Sequence, residues 1–201
     1  PVAIRLSGAL DVSALREAVA DLIARHEILR TVYPETAAGP VQRVLSPAEV
    51  AIDLEPVRIE ESGVVEAVTA AVTTGFDVTT QIPFHIRLFQ VTDTDFVLVF
   101  VAHHIAADGW SIAPLTRDLM TAYGHRVTGT APQWEPLPVQ YADFSIWQHA
   151  VLGSESDPDS VLAAQAAYWR ATLAGLADEL NLPTDRPRPM RPSYAGGRVR
   201  F

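Results

Sequence analysis

Six consecutive apolar residues, Phe96-Val-Leu-Val-Phe-Val101, stand out in a chain whose apolar positions otherwise alternate with polar ones or recur at helical spacing. A run that is apolar at every position is expected of a central strand covered on both faces. Phe84-His-Ile-Arg-Leu-Phe-Gln-Val91 precedes it across Thr92-Asp-Thr-Asp95, and the two read as an antiparallel hairpin. Beyond it, from Ser111 to Tyr123, apolar residues return at helical spacing, with Ser111 placed to cap and Pro114 tolerated in the first turn. The polar segment between that strand and that helix carries two histidines and an aspartate.

The same patterning predicts the remaining elements. Val2, Ile4 and Leu6 alternate with other residues up to Ser7-Gly8, giving a first strand. Leu15, Val19, Leu22 and Ile23 mark an amphipathic helix through Asp11–His26, with Asp11 and Ser13 both able to cap it. Ile28-Leu-Arg-Thr-Val-Tyr33 is β-branched and aromatic enough for a strand, stopped by Pro34, with Val41-Gln-Arg-Val-Leu45 as its hairpin partner. Val64–Val72 has helical spacing, and Gly75 is placed for a left-handed stop. Two more helices are predicted near Val139–Leu152 and Asp159–Leu173. The prolines of Leu182-Pro-Thr-Asp-Arg-Pro-Arg-Pro189 exclude helix there, and Gly196-Gly-Arg-Val-Arg-Phe201 reads as the start of another strand. Helices interspersed with strand pairs point to an α/β layered sandwich with a mixed sheet.

Composition narrows the function. Of 201 residues, 48% are hydrophobic and 19% charged, enough apolar material for a core. A formal charge of −9, with no basic run, argues against a nucleic-acid partner. The absence of cysteine excludes disulfides, thiolate nucleophiles and Cys-based metal sites. No apolar segment approaches membrane-spanning length, so no membrane partner is expected and a cytoplasmic location is. Pro1-Val-Ala-Ile-Arg-Leu6 looks like the inside of a strand, and the chain reads as part of something longer.

The candidate chemistry lies in His103-His-Ile-Ala-Ala-Asp-Gly-Trp-Ser111. Neighbouring strand residues face opposite sides, so His103 and His104 do not aim at one target while the strand persists, and a shared metal is disfavoured. One histidine would fix the strand end while the other faces a cavity. An imidazole titrating near pH 6.5 serves as a general base or an orienting acceptor at neutral pH. Asp108 is open to three roles: a hydrogen bond to a histidine, a helix cap, or an ion pair with a buried arginine such as Arg25 or Arg30. Gly109 would let a substrate approach the backbone, and amides at a helix start can stabilise an oxyanion. The competing reading is a strand end with satisfied hydrogen bonds and no chemistry. His26, His85, His125 and His149 look structural or solvated, and Trp134, Trp147 and Trp169 look packed.

The His103–Ser111 segment resembles the HHxxxDG signature of condensation domains in nonribosomal peptide synthetases. Arg25-His-Glu-Ile-Leu-Arg-Thr-Val-Tyr33 is similar to their RHExLRTxF motif and Tyr141-Ala-Asp-Phe-Ser-Ile-Trp147 to their YxDFAxW motif, in the family's order. Tyr168-Trp169 and Leu182–Pro189 fit the tract before the family's second lobe. The resemblance implies one lobe of a two-lobed, chloramphenicol acetyltransferase-like domain over 1–201, truncated at both ends, with 182–201 the linker and crossover to a missing C-terminal lobe. The family's opening SxAQxRLW motif is not in the chain. The implied reaction joins a carrier-bound peptidyl or acyl thioester donor to the amine of a carrier-bound aminoacyl acceptor, and the isolated lobe would be inactive. The resemblance makes His104 and Gly109 catalytic, with His103, Asp108 and Arg30 as structural support, Asp108 pairing with an arginine and Arg30 favoured. No cofactor is bound directly; substrates ride on the 4'-phosphopantetheine of upstream and downstream carrier proteins, with an adenylation domain adjoining. The Gly109-Trp-Ser111 ending resembles the subtype that takes a donor ending in a D-residue. A non-catalytic carrier-docking module and a free-standing coenzyme A-dependent acyltransferase are the alternatives.

Overall fold

The computed structural model describes residues 1–179, 182–193, 196–197 and 199. It divides into two units, Pro1–Gln148 and His149–Phe201. The first unit holds the sheet and the His103–Ser111 loop.

Four strands form a mixed sheet in the order β1 (Val2–Ser7), β8 (Asp95–Ala102), β7 (Phe84–Thr92), β6 (Val57–Arg58), where the numbers follow the chain. β8 is antiparallel to both neighbours, Val2 facing Phe100 and His85 facing Val101, and β6 runs parallel to β7. β8 is central, and it is apolar from Phe96 to Ala102 because both its faces are covered there. Phe96 and Leu98 join Phe84, Ile86 and Leu88 of β7 in a core closed by Leu15, Val19, Leu22 and Ile23. Val97, Val99 and Val101 face the other way, against Val64, Ala67, Val68 and Ala71. Strand alternation thus builds two cores from one continuous apolar run.

The first core is covered by α1 (Val12–Arg25) and α3 (Ile112–Val127), which pack side by side; the second is covered by α2 (Val64–Thr73). Asp11 rather than Ser13 caps α1, its Oδ1 accepting the Ala14 N–H at 2.9 Å. Arg126, near the end of α3, is held bidentately by Asp21 of α1 at 2.7 Å for both bonds, with Glu17 beside it.

The segment expected to be a strand over Ile28–Tyr33 begins instead as a 3₁₀ turn, Glu27–Arg30, and only β2 (Thr31–Val32) is extended. Local hydrogen bonds outcompete the β propensity: the Leu29 N–H reaches His26 O and the Thr31 hydroxyl donates to Glu27 O. The predicted partner forms, as β5 (Arg43–Val44), antiparallel to β2, and a short hairpin of β3 (Glu35–Thr36) and β4 (Gly39–Pro40) lies between them. Gly75 does not stop α2 in a left-handed conformation. The Thr73 and Thr74 hydroxyls instead donate back to Thr69 O and Ala70 O at the helix end.

α4 (Tyr141–Leu152) crosses the boundary between the units. Within the second unit, α5 (Val161–Thr172) is capped by Ser160, whose hydroxyl accepts the Ala163 N–H. Residues 182–193 carry no helix or strand. Of the strand expected over 196–201, residues 198, 200 and 201 lie outside the described residues, and 196, 197 and 199 are not in a strand.

Candidate active site

β8 ends at Ala102, but the His103 N–H still reaches across to Pro83 O at 2.8 Å. The chain then turns. His103 O accepts the N–H groups of Ala106 and Ala107, and His103 Nδ1 accepts the Ile105 N–H at 3.0 Å, which places the ring proton on Nε2. The ring edge of His103 meets Phe76 with centroids 6.0 Å apart, and His85 stacks on the same Phe76 at 4.9 Å. His85 in turn hydrogen-bonds Ala71 O in α2 through Nε2. His103 is therefore the fixed histidine of the pair.

His104 follows in the turn, exposed, and makes no hydrogen bond among the described residues. The loop around it is held elsewhere. Asp108 Oδ1 accepts both the Ser111 N–H, at 3.0 Å, and the Ser111 hydroxyl, at 2.8 Å, while Ser111 Oγ accepts the Asp108 N–H at 3.0 Å. These bonds, the hydroxyl first, hold the Asp108 carboxyl below the usual carboxylate range. Ser111 is consequently spent on Asp108 and makes no side-chain cap on α3. Gly109 sits in open space, with no heavy atom beyond its two chain neighbours within 4 Å of where a Cβ would lie. Trp110, beside it, is 90% exposed.

The expected ion pair between Asp108 and Arg30 is not made. Arg30 is buried, and its guanidinium donates to Ile23 O, Leu45 O and Glu27 Oε1, closing the turn after α1 onto β5. An arginine whose donors are already taken by nearby carbonyls has nothing to gain from an exposed carboxylate whose acceptors are already taken by Ser111.

The buried arginine-aspartate pair lies elsewhere. Asp118 in α3 accepts Arg25 Nε and His26 Nε2 on Oδ2, each at 2.9 Å, and Arg117 Nε on Oδ1 at 3.2 Å. Burial pushes the Asp118 carboxyl up, but the bonds from His26, Arg25 and Arg117 outweigh it and leave the group below its ordinary value. Arg25 also donates to Glu135 O at 2.7 Å and lies 4.7 Å from the Trp134 ring centroid. Gln140 bridges Arg25 O and the Glu27 N–H. The Arg25-His26-Glu27 stretch thus ties α1 to α3 and to the segment before α4. Asp118 escaped sequence reasoning although a signal was present: it falls on the buried stripe of α3 with Leu115, Leu119 and Ala122, where an unpaired carboxylate would be costly.

The model of the condensation domain family matches residues 1–201. The chain belongs to this family. It is 51% identical over 202 residues to a protein of Salinispora arenicola described as a probable non-canonical nonribosomal peptide synthetase, CymA, covering all of this chain and 3% of that protein. It is 44% identical over 201 residues to the dimodular nonribosomal peptide synthase of Bacillus subtilis, again over the whole chain and 8% of the relative. Among solved structures, the X-domain from teicoplanin biosynthesis in complex with OxyB superposes with a TM-score of 0.87 at 40% identity, over 96% of this chain and 42% of that one. This condensation-domain chain therefore spans a small part of its curated relatives and less than half of that structural neighbour. It corresponds to one lobe of the chloramphenicol acetyltransferase-like fold, as the family resemblance implied, and its mixed sheet is the one the element pattern predicted. The family's HHxxxDG, RHExLRTxF and YxDFAxW motifs fall at the end of β8, at the turn after α1 and at the start of α4.

Proposed function

We propose that this lobe contributes the His104 side of a peptide-bond-forming site, in which the amine of a carrier-bound aminoacyl acceptor attacks the thioester of a carrier-bound donor. The carrying observation is the contrast within one loop: His103, Asp108 and Ser111 spend their polar groups on holding the backbone, and His104 alone of these side chains is left exposed and unengaged. A new C–N bond forms as the amine adds to the thioester carbonyl. The C–S bond then breaks, and the proton lost by nitrogen ends on the departing thiol. An α-amino group titrates near pH 7.7–8.0, so part of it is neutral already. His104 therefore orients the amine and passes on its proton rather than supplying strong base. The open backbone at Gly109 leaves room for the thioester beside the loop. The Gly109-Trp110-Ser111 sequence supports a donor ending in a D-residue, which paired D- and L-terminated donors would test.

In a complete condensation domain, His104→Ala is expected to lower the rate of condensation between loaded carriers about 10²–10⁴-fold, with folding unchanged by circular dichroism. An unchanged rate would show that His104 does no chemistry. That outcome would favour the second reading, a docking platform, for which the X-domain captured with OxyB provides the specific precedent. Saturable carrier binding with turnover indifferent to His104 is its signature.

A further inference from the structure

The turn that carries His104 is tied down on both sides of that residue. The His103 N–H donates to Pro83 O at 2.8 Å, and His103 O accepts the Ala106 and Ala107 N–H groups at 2.9 and 3.3 Å. The His103 ring itself reaches past His104, its Nδ1 accepting the Ile105 N–H at 3.0 Å. This bond closes a small loop of which His104 is the enclosed residue. The direction of the His103 ring therefore sets the backbone from which the His104 imidazole projects, and a ring turned away would release the Ile105 N–H.

What fixes that ring comes from outside the motif. Phe76, in the segment between α2 and β7, meets the His103 ring at 85° with centroids 6.0 Å apart. Phe76 is held in turn by the second core, where it packs against the cluster of Phe89, Val97, Val99 and Val101. It is also stacked on His85, with centroids 4.9 Å apart and planes 23° from parallel. His85 Nε2 lies 2.9 Å from Ala71 O; a carbonyl only accepts, so that nitrogen carries the proton and the ring is fastened to α2. The segment around Phe76 is anchored as well. Val78 O accepts the Tyr33 N–H at 2.8 Å, and the Asp77 carboxylate accepts the Thr79 N–H and the Thr80 hydroxyl. A continuous line of contacts thus runs from Ala71 through His85, Phe76 and His103 to the Ile105 N–H.

We propose that Phe76 and His85 are positioning residues for His104, which they orient by locking the ring of His103 onto the Ile105 N–H. This rests on the reading of His104 as the reacting histidine and extends the machinery of that site to two residues outside its motif. Neither touches the reacting groups; both act through His103.

The test uses a complete condensation domain with loaded donor and acceptor carriers. Phe76→Leu keeps an apolar side chain on the second core and removes the ring; it is expected to lower kcat about 10–100-fold with KM for either carrier within about twofold. Phe76→Tyr keeps the ring and should hold kcat within about threefold of the parent. His85→Gln keeps a donor for Ala71 O but removes the stacked ring, and should fall between them. Melting temperatures identify a variant that has not folded, and the others then decide. Two readouts that a packing role alone would not move accompany the rates. Amide exchange at Ile105 should be at least about tenfold faster in Phe76→Leu, well below its melting temperature. Nitrogen NMR spectra of His103 should show a single tautomer in the parent, with the proton on Nε2, and a mixture in Phe76→Leu. Equal losses in Phe76→Tyr and Phe76→Leu, or a fall in kcat with the Ile105 exchange and the His103 tautomer unchanged, overturn the proposal. So do rates and exchange untouched in both Phe76→Leu and His85→Gln. If His104→Ala leaves condensation intact, the proposed function fails, and exchange and tautomer decide the hold on the loop by themselves. Values changed in Phe76→Leu and restored in Phe76→Tyr support it; values the same in parent and both variants refute it.

Discussion

Replacing Asp118 with asparagine keeps the shape of the side chain and removes its charge from a site where the carboxylate is 7% exposed and its partners Arg25 and His26 are 12% and 16% exposed. Hydrogen bonds to a charged group contribute about 1.5–3 kcal/mol each. The bond from Arg117, whose side chain is mostly exposed, is worth about 0–1 kcal/mol. Arg25 keeps its bond to Glu135 O and its contact with Trp134, and the asparagine oxygen still accepts one donor, so part of the loss is recovered. The net cost of Asp118→Asn is then about 2–4 kcal/mol. For a chain of this size that corresponds to a fall in melting temperature of roughly 4–16 °C at pH 7. Thermal unfolding by circular dichroism measures it, with Arg117→Ala as the control expected to shift by no more than about 1 kcal/mol. The pH dependence provides a second check. The folded carboxyl titrates below its unfolded value of about 3.9, so its stabilisation is present above that pH and is lost as pH falls through the folded value. The gap between the parent and Asp118→Asn should begin to narrow below about pH 4 and close as pH passes below the folded value. A gap that does not narrow on acidification from about pH 4, a shift under about 1 °C at pH 7, or an equal effect of Arg117→Ala would refute the reasoning.

Arg30→Met should destabilise the chain by about 2–4 kcal/mol in urea unfolding, because Ile23 O and Leu45 O lose their donor in a buried turn. Arg30→Lys should fall between, since one ammonium does not reproduce the guanidinium fork. Asp108→Ala should speed amide hydrogen exchange at Ser111 and loosen the loop with little change in global melting, as its bonds are local and exposed. The parent loop should loosen in the same way when acid protonates Asp108, at a pH below the ordinary aspartate value. An exchange rate at Ser111 unaffected by either perturbation would show that Asp108 does not hold the loop.

Much of this arrangement was legible along the chain. The unbroken apolar run of β8 announces a strand covered on both faces, and Leu15, Val19, Leu22 and Ile23 recur at the spacing that buries one side of α1. Both patterns are short-range, so neighbours in sequence suffice to read them. The position of the loop bearing His104, between a central strand and a helix, follows from the same patterns. The two-residue β6 carries no such signal: Val57 and Arg58 are exposed, and only β7 beside them makes them a strand. The turn at Glu27–Arg30 likewise has the composition of a strand; local bonds curl it, and the Arg30 guanidinium then anchors it through Ile23 O and through Leu45 O, 15 residues away.

Sequence by itself determined the main helices and the long strands, their order and the family motifs. Tertiary structure decided which charges meet. Arg25, Arg30, Asp108 and Asp118 are all plausible partners on paper, and pairing needs atoms within hydrogen-bond reach. Packing α3 beside α1 brings Asp118 to Arg25, 93 residues apart, and leaves Asp108 to Ser111, three residues on.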